Sequence, residues 1–178
     1  MTVVLGGGSL SANIQGVAFT GSATYSPLYD CKAMVYVIGG GGSGAACYNV
    51  NSAGEVMCAS GGGAGGCAVS LLDLKAAHTY TITVGAGGAR VSKTYNSHGS
   101  GIAGGNTTFV DGSATISTMT GNGGGAGDSS KASPTSTTTT ASAATGGSAS
   151  GGTLANNTGG GSGTATVAPY NSSTANYS

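Results

Sequence analysis

Clusters of glycine recur along this chain from residue 39 to residue 163 without a fixed period. Residues 34–38 form a short apolar run that leads into four consecutive glycines, and residues 80–84 lead into a second glycine block in the same way. Glycine accounts for 37 of the 178 residues, which is about three times its average usage. Because glycine has no Cβ, it lets chain segments approach each other at backbone distance. The blocks therefore predict a fold held together by backbone hydrogen bonds between segments.

Composition excludes several classes of protein. Only 6% of the residues are charged and the formal net charge is zero, so the basic surface of a nucleic-acid-binding protein is absent. The chain has no Trp and two Phe, and such a lack of large apolar side chains is typical of disorder. The low charge, however, argues against a self-repelling coil. We find no signal-peptide pattern and no apolar run of about 20 residues, so we expect a soluble protein that is neither classically secreted nor inserted in a membrane.

The four cysteines are not arranged like metal ligands. No CxxC pair occurs among Cys31, Cys47, Cys58 and Cys67, so a zinc site is not indicated. An even count leaves two disulfides open, with three connectivities. The interpretation that we favour is small, buried, reduced thiols that pack against glycine.

Short strands and very little helix are predicted, which places the chain in a mainly β or irregular fold class. The clearest alternation lies at residues 78–84, where Tyr80, Ile82 and Val84 share one face. We expect residues 72–77 to form a turn and residues 128–178 to form an ordered polar extension. The predicted strands span residues 17–20, 31–38, 67–71, 78–84, 106–110 and 114–119. The predicted organisation is an attachment or first-layer segment at 1–30, a glycine-rich domain at 31–127 and a Ser/Thr/Gly-rich extension at 128–178.

Motifs for nucleotide binding are matched only by chance. Gly39, Gly41 and Gly44 follow a strand and fit GxGxxG, but the motif requires a helix next and an acidic residue about 20 positions later. Residues 45–51 are a poor helix, and Glu55 comes too early. There is no Gly-Lys dipeptide and hence no P-loop.

Residues suited to catalysis are few and scattered. No GxSxG motif occurs, and neither His78 nor His98 suggests a catalytic role. We interpret the acidic residues as solvated turn residues. Three of them have a lysine two or three positions away in sequence: Asp30 with Lys32, Asp73 with Lys75 and Asp128 with Lys131. We therefore predict a protein that is not an enzyme and that binds no cofactor or metal.

Polar inserts separate the glycine blocks and are the candidate binding segments, at residues 48–60, 90–100, 128–145 and 167–178. They are rich in Tyr, Asn and Ser, the residues that antibody loops use for recognition. An ordinary polar loop is an equally good interpretation of any single insert, but the set favours a recognition surface. The candidate contact residues are Tyr48, Asn49, Asn51, Arg90, Lys93, Tyr95, Asn96, His98, Tyr170 and Tyr177.

Four segments together resemble the glycine-rich domain of tail-fibre and adhesin proteins from tailed phages: residues 32–42, 61–66, 79–88 and 105–109. The resemblance covers about residues 31–127, and TYTITVGAGG is its most specific part. It implies a sandwich of polyglycine II helices whose intervening loops contact a host outer-membrane protein or surface glycan. Carried over by the resemblance, the scaffold glycines are Gly39, Gly40, Gly41, Gly42, Gly61, Gly62, Gly63, Gly85, Gly87 and Gly88.

The resulting expectation is a virion tail-fibre or fibre-tip protein, made in the host cytoplasm, that recognises a host receptor. Its expected partners also include other virion fibre proteins, through a homo-oligomer such as a trimer or through mounting on a trimeric fibre. The alternative is a structural protein that assembles into a filament, fibre or capsid surface and has no receptor-binding role of its own.

Overall fold

A computed structural model describes residues 2–6, 14–49, 55–132 and 138–168. These residues form short strands and extended segments and contain no helix of the α, 3₁₀ or π type, which confirms the predicted fold class. The strands are β1 Thr2–Gly6, β2 Ile14–Ala18, β3 Ala23–Tyr25, β4 Cys31–Ile38, β5 Ala46–Tyr48, β6 Val56–Ala59, β7 Cys67–Leu74, β8 Tyr80–Thr83, β9 Ser97–Gly99, β10 Thr107–Asp111, β11 Met119–Gly121, β12 Ser129–Ala132, β13 Thr139–Ala141, β14 Ala149–Ser150, β15 Ala155–Asn157 and β16 Ala165–Val167.

Two antiparallel sheets pack face to face and form the larger side-chain core. Sheet one has the order β15-β7-β4-β1-β2, and sheet two has the order β14-β11-β10-β8-β3. Alternate residues of each strand point inward, and Tyr80 stacks on Phe109 with ring centroids 5.2 Å apart. The buried apolar residues are Ala33, Val35, Val37, Ala68, Leu72 and Leu74 from sheet one and Tyr80, Ile82, Phe109 and Met119 from sheet two.

Beyond this core the strands continue as extended glycine segments in two layers. Hydrogen bonds between neighbouring segments define the order of segments in each layer. Layer one has the order 158–163, 60–66, 39–45, 85–88. Layer two has the order 142–148, 121–128, 101–106. Segments 39–45, 60–66 and 158–163 continue β4, β7 and β15 of sheet one. The neighbouring pairs β4·β7 and β7·β15 therefore remain neighbours in the lattice.

The hydrogen bonds between segments repeat every three residues. The N–H groups of Gly39, Gly42 and Ala45 donate to the carbonyls of Gly66, Gly63 and Ser60 at 2.8–3.0 Å. In turn, Ser60, Gly63 and Gly66 donate to residues 128, 125 and 122 of layer two. A step of three on both sides is the three-residue turn of the polyproline II helix. The segments are thus polyglycine II-like helices that bond to neighbours within and between layers.

Glycine is required where a helix faces its neighbours. A Cβ built on Gly63 would overlap the Thr145 carbonyl oxygen, and one on Gly42 would overlap the Gly125 carbonyl oxygen. Seven of the scaffold glycines predicted above have backbone this close: Gly39, Gly40, Gly42, Gly62, Gly63, Gly85 and Gly88. The other three, Gly41, Gly61 and Gly87, would place a Cβ 3.5–3.7 Å from its nearest neighbour, which is ordinary van der Waals contact.

Three strand boundaries differ from the sequence prediction. The structure continues β7 through Leu74, where we predicted a turn from residue 72. Leu72 and Leu74 are buried and pair with β4, so sheet packing extends the strand past Asp73. β11 begins only at Met119, because the residues before it form a turn around Asp111. The first predicted strand, 17–20, lies instead at 14–18.

The ion pairs also differ from the pairs suggested by proximity in sequence. Lys32 contacts Asp73 at 2.7 Å, and Lys75 contacts Asp30 at 2.8 Å. The antiparallel register of β4 and β7 places Lys32 opposite Asp73, so each lysine pairs with an acid far away in sequence and not with the one beside it. These side chains are more than half exposed, so each pair contributes little to stability.

Asp111 organises the turn between β10 and β11. Its buried carboxylate accepts hydrogen bonds from Thr115 Oγ1 at 2.6 Å and from the N–H groups of Ser113, Thr115 and Ile116 at 3.0–3.2 Å. His78 Nδ1 lies 3.3 Å from Asp111 Oδ1 and makes no hydrogen bond to it. Burial would raise the pKa of Asp111, but the bonds from Thr115 and Ser113 outweigh it and lower the pKa to about 2.

Candidate functional site

Three two-stranded sheets close the lattice at the end away from the β-sandwich, which we call the distal end. They are β5·β9, β6·β12 and β13·β16. Each sheet joins a strand next to a layer-one helix with a strand next to a layer-two helix. For example, β5 follows helix 39–45 and β9 precedes helix 101–106. Pairing therefore changes from within layers at the sandwich to between layers at the distal end.

The same topology brings together the strands at which the candidate inserts begin and end. Residues 49–55 of the insert 48–60 connect β5 to β6. Residues 133–138 of the insert 128–145 connect β12 to β13. The insert that includes residues 89–96 precedes β9, and the chain after β16 leaves from the same end. Segments far apart in sequence therefore begin and end on one small surface.

Sheet β5·β9 presents two exposed tyrosines. Tyr48 lies opposite Ser97 in the register, and its exposed fraction is 50%. Tyr95, just before β9, is 72% exposed. Asn49 donates through Nδ2 to the Glu55 carbonyl, which joins the two ends of the first insert. Large exposed aromatic side chains next to amides provide contact area at a small entropic cost.

The 90–100 insert is held by local contacts. Asn96 has a φ of 49°, a left-handed conformation that Asn tolerates better than most residues, and Ser97 Oγ donates to the Thr94 carbonyl. The Lys93 side chain lies over Gly99, where a Cβ would overlap it. Arg90 and His98 are exposed. The insert thus presents an ordered surface with two basic side chains and an imidazole.

Neighbouring inserts are linked by contacts that the sequence did not indicate. His98 Nδ1 lies 3.1 Å from Ser129 Oγ on β12. Lys131 Nζ lies 2.8 Å from Glu55 Oε2, whereas we had paired Lys131 with Asp128. These partners lie 31 and 76 residues apart in sequence, and only the cross-layer pairing of strands brings them together.

A polar network of Ser60, Asp128 and Ser142 underlies the distal end. Asp128 Oδ2 accepts from the Ser142 N–H at 2.9 Å and Oδ1 accepts from the Ser129 N–H at 2.8 Å. These two bonds lower the pKa of Asp128 below its ordinary value. Ser60 Oγ donates to the Ser142 carbonyl and accepts from the Asp128 N–H. Asp128, which we interpreted as a solvated turn residue, therefore fixes the start of an insert to two lattice helices.

The four thiols are all free. Cys58 is buried and its Sγ lies 3.7 Å from the Thr139 carbonyl, as expected for a small packed thiol. Burial raises the pKa of Cys31 and of Cys67, and both are partly buried. Cys47 is exposed, so the expectation of buried thiols is wrong for this residue, which lies on an outward-facing strand.

Three predicted contact residues, Asn51, Tyr170 and Tyr177, lie outside the described residues. Within the described ranges, no three His, Cys, Asp or Glu side chains are arranged to hold a metal ion. The part of the chain that the structure describes also contains no helix long and apolar enough to cross a membrane.

A sequence profile described as a glycine-rich domain matches residues 17–178. The chain belongs to the glycine-rich domain family. No curated protein matches it significantly. In this glycine-rich domain the match includes both lattice layers and all the distal strands, so the family corresponds to the scaffold together with its inserts.

Proposed function

We propose that this protein is a virion tail-fibre or fibre-tip protein and that its distal end binds a receptor on the host cell surface. The observation that carries the proposal is that the strands flanking the inserts converge on one end of the lattice. Recognition loops mounted on a rigid scaffold are a common arrangement in binding proteins. The sequence resemblance to tail-fibre and adhesin proteins of tailed phages supplies the biological setting.

The chemistry of the distal end suits a protein or glycan surface. Tyr48 and Tyr95 offer flat apolar area, while Asn49, Asn96 and His98 offer hydrogen-bond donors and acceptors. Such surfaces bind through a few aromatic anchors surrounded by polar contacts. Several copies on one particle would multiply a weak single contact.

Replacing the inserts tests this proposal. We would exchange residues 90–96 and 133–138, together, for Gly-Ser segments of equal length, which leaves β9, β12 and β13 intact. Binding of the purified protein to susceptible cells is expected to fall at least tenfold, because the contact side chains are lost. The midpoint of thermal unfolding should change by only a few degrees, since the exchange keeps the length of each connection and loop closure therefore costs about the same entropy.

A matched control lies at the opposite end of the molecule. Leu28 and Tyr29 are 86% and 79% exposed on the bend before β4, and the double change Leu28→Ser, Tyr29→Ser should leave cell binding unchanged. Full binding by the insert variant on every susceptible strain would contradict the proposal.

A further inference from the structure

Sheet one carries an apolar outer face. The residues of β4 and β7 that point away from the core pair in register as Met34 with Leu71, Tyr36 with Val69, and Ile38 with Cys67. Ile38 and Leu71 are each 50% exposed. The Lys32–Asp73 ion pair closes one end of these rows, so the face has no net charge.

The glycine helices continue this face without side chains. Three residues per turn leave one position in three of each layer-one helix pointing outward. A Cβ at the outward glycines would meet nothing within 4 Å or would make contacts of 3.5–3.7 Å. Packing within the chain therefore does not require glycine there. The outward positions of layer one are Gly41, Gly44, Gly61, Ala64, Gly87, Gly160 and Gly163.

Layer two differs at the equivalent positions. All of its outward residues but Gly125 carry side chains, and the Asn122 amide donates to Ser148 Oγ at 2.7 Å. Glycine in a folded segment lowers the stability by up to about 1 kcal/mol relative to alanine. Packing within the chain does not explain why six outward positions are nevertheless glycine. The outward positions of layer two are Ala103, Asn106, Asn122, Gly125, Thr145 and Ser148.

We propose that the outer side of sheet one and layer one, which we call the layer-one face, packs against the same face of a second copy of this chain. Glycine helices approach to backbone distance only where the partner also lacks side chains, as the two layers do inside the molecule. Within the described residues the layer-one face is the surface that meets this condition, so it is self-complementary. Two uncharged copies of it do not repel each other.

The area of the layer-one face suits a stable dimer. Two rows of eight strand residues and seven helix residues, and a third row of three strand residues and six helix residues, lie about 4.8 Å apart. At ~3.3 Å per strand residue and ~3.1 Å per helix residue they give roughly 600 Å² per copy, the lower end of the standard range. Standard stable interfaces bury about 800 Å² per partner. The pairing is isologous, as in most homodimers, and it leaves the distal end open.

The test compares lysine substitutions on the two outer faces of the full chain. Gly160→Lys places a long charged side chain on the layer-one face at a position where the isolated chain has open space. Ala103→Lys does the same on the exposed face of layer two. Sedimentation velocity over a range of concentrations would give the dimer dissociation constant of each protein.

We expect the wild type and Ala103→Lys to be dimers. The dimer dissociation constant of Gly160→Lys should be at least tenfold higher. The unfolding midpoint of Gly160→Lys should equal that of a dilute wild-type sample. A wild type that stays monomeric at every concentration, up to millimolar protein, would overturn the proposal. Equal dimerisation of Gly160→Lys and wild type would overturn it as well. Because cell binding is not measured, failure here is distinguishable from failure of the proposed receptor-binding function.

Discussion

Replacing Gly42 with alanine is expected to destabilise the protein strongly. The Gly42 N–H donates to the Gly63 carbonyl at 2.8 Å, and its missing Cβ leaves space that the Gly125 carbonyl occupies. Inserted atoms in a close-packed region cost about 1–3 kcal/mol or more, and here the obstacle is the backbone of helix 121–128 at Gly124 and Gly125, which cannot rotate away as a side chain could. At ~2–4 °C per kcal/mol for a chain of this size, the unfolding midpoint should fall by roughly 10 °C.

The neighbouring residue provides the control. Gly41 belongs to the same helix, but a Cβ there would meet only the Gly63 carbonyl oxygen at 3.7 Å. In dilute protein, where the chain is monomeric, Gly41→Ala should leave stability unchanged or raise it by about 0.5 kcal/mol, because alanine restricts the unfolded chain. Thermal unfolding of both variants, followed by circular dichroism, decides the matter, and equal midpoints would show that the lattice tolerates side chains.

Replacing Asp111 with asparagine is expected to remove about 2 kcal/mol near neutral pH, since charge-assisted hydrogen bonds contribute roughly 1.5–3 kcal/mol. The pKa of Asp111 is about 2 in the folded protein and about 3.9 in an unfolded chain. Below pH 4 the unfolded state therefore takes up the proton first. The stabilisation is complete above about pH 4 and is lost as the pH falls towards 2.

Denaturant unfolding between pH 2 and pH 7 would measure this dependence. The free energies of unfolding of wild type and Asp111→Asn should differ most above pH 5 and converge near pH 2. Asp73→Asn is a suitable control, because its exposed ion pair with Lys32 should contribute less than about 1 kcal/mol. Parallel pH profiles for wild type and Asp111→Asn would contradict the assigned role.

The strands of the core were predictable because their side chains alternate. At residues 80–83 the pattern buried, exposed, buried, exposed follows the Tyr-Thr-Ile-Thr sequence. The extension of β7 through Leu74 was missed because Asp73 and Lys75 resemble a turn, while the partner strand that decides the matter lies 41 residues earlier. Strand length at such a position depends on long-range pairing, which local sequence does not report.

The lattice and the distal end were predictable to different degrees. Glycine content and the resemblance indicated polyglycine helices, yet they could not separate Gly42, which packing within the chain requires to be glycine, from Gly41, for which that packing has no such requirement. That distinction depends on whether the residue points towards a neighbouring helix or away from it. Likewise, the inserts could be identified from composition, but their convergence follows from β5·β9, β6·β12 and β13·β16, pairings with no local signal.

The hydrogen bond from Ala64 to Gly160 has a consequence for how the chain becomes folded. It joins the second glycine helix to the last, and other lattice bonds join residues 40 with 105 and 63 with 125. Contacts between such distant residues form slowly, because the entropy of closing long loops is lost before any bond compensates it. On the ribosome, the outer helix of layer one, 158–163, is synthesised after the other lattice helices. Helix 60–66 therefore emerges long before its neighbour 158–163 has been made, and the lattice is completed only after synthesis has passed residue 163.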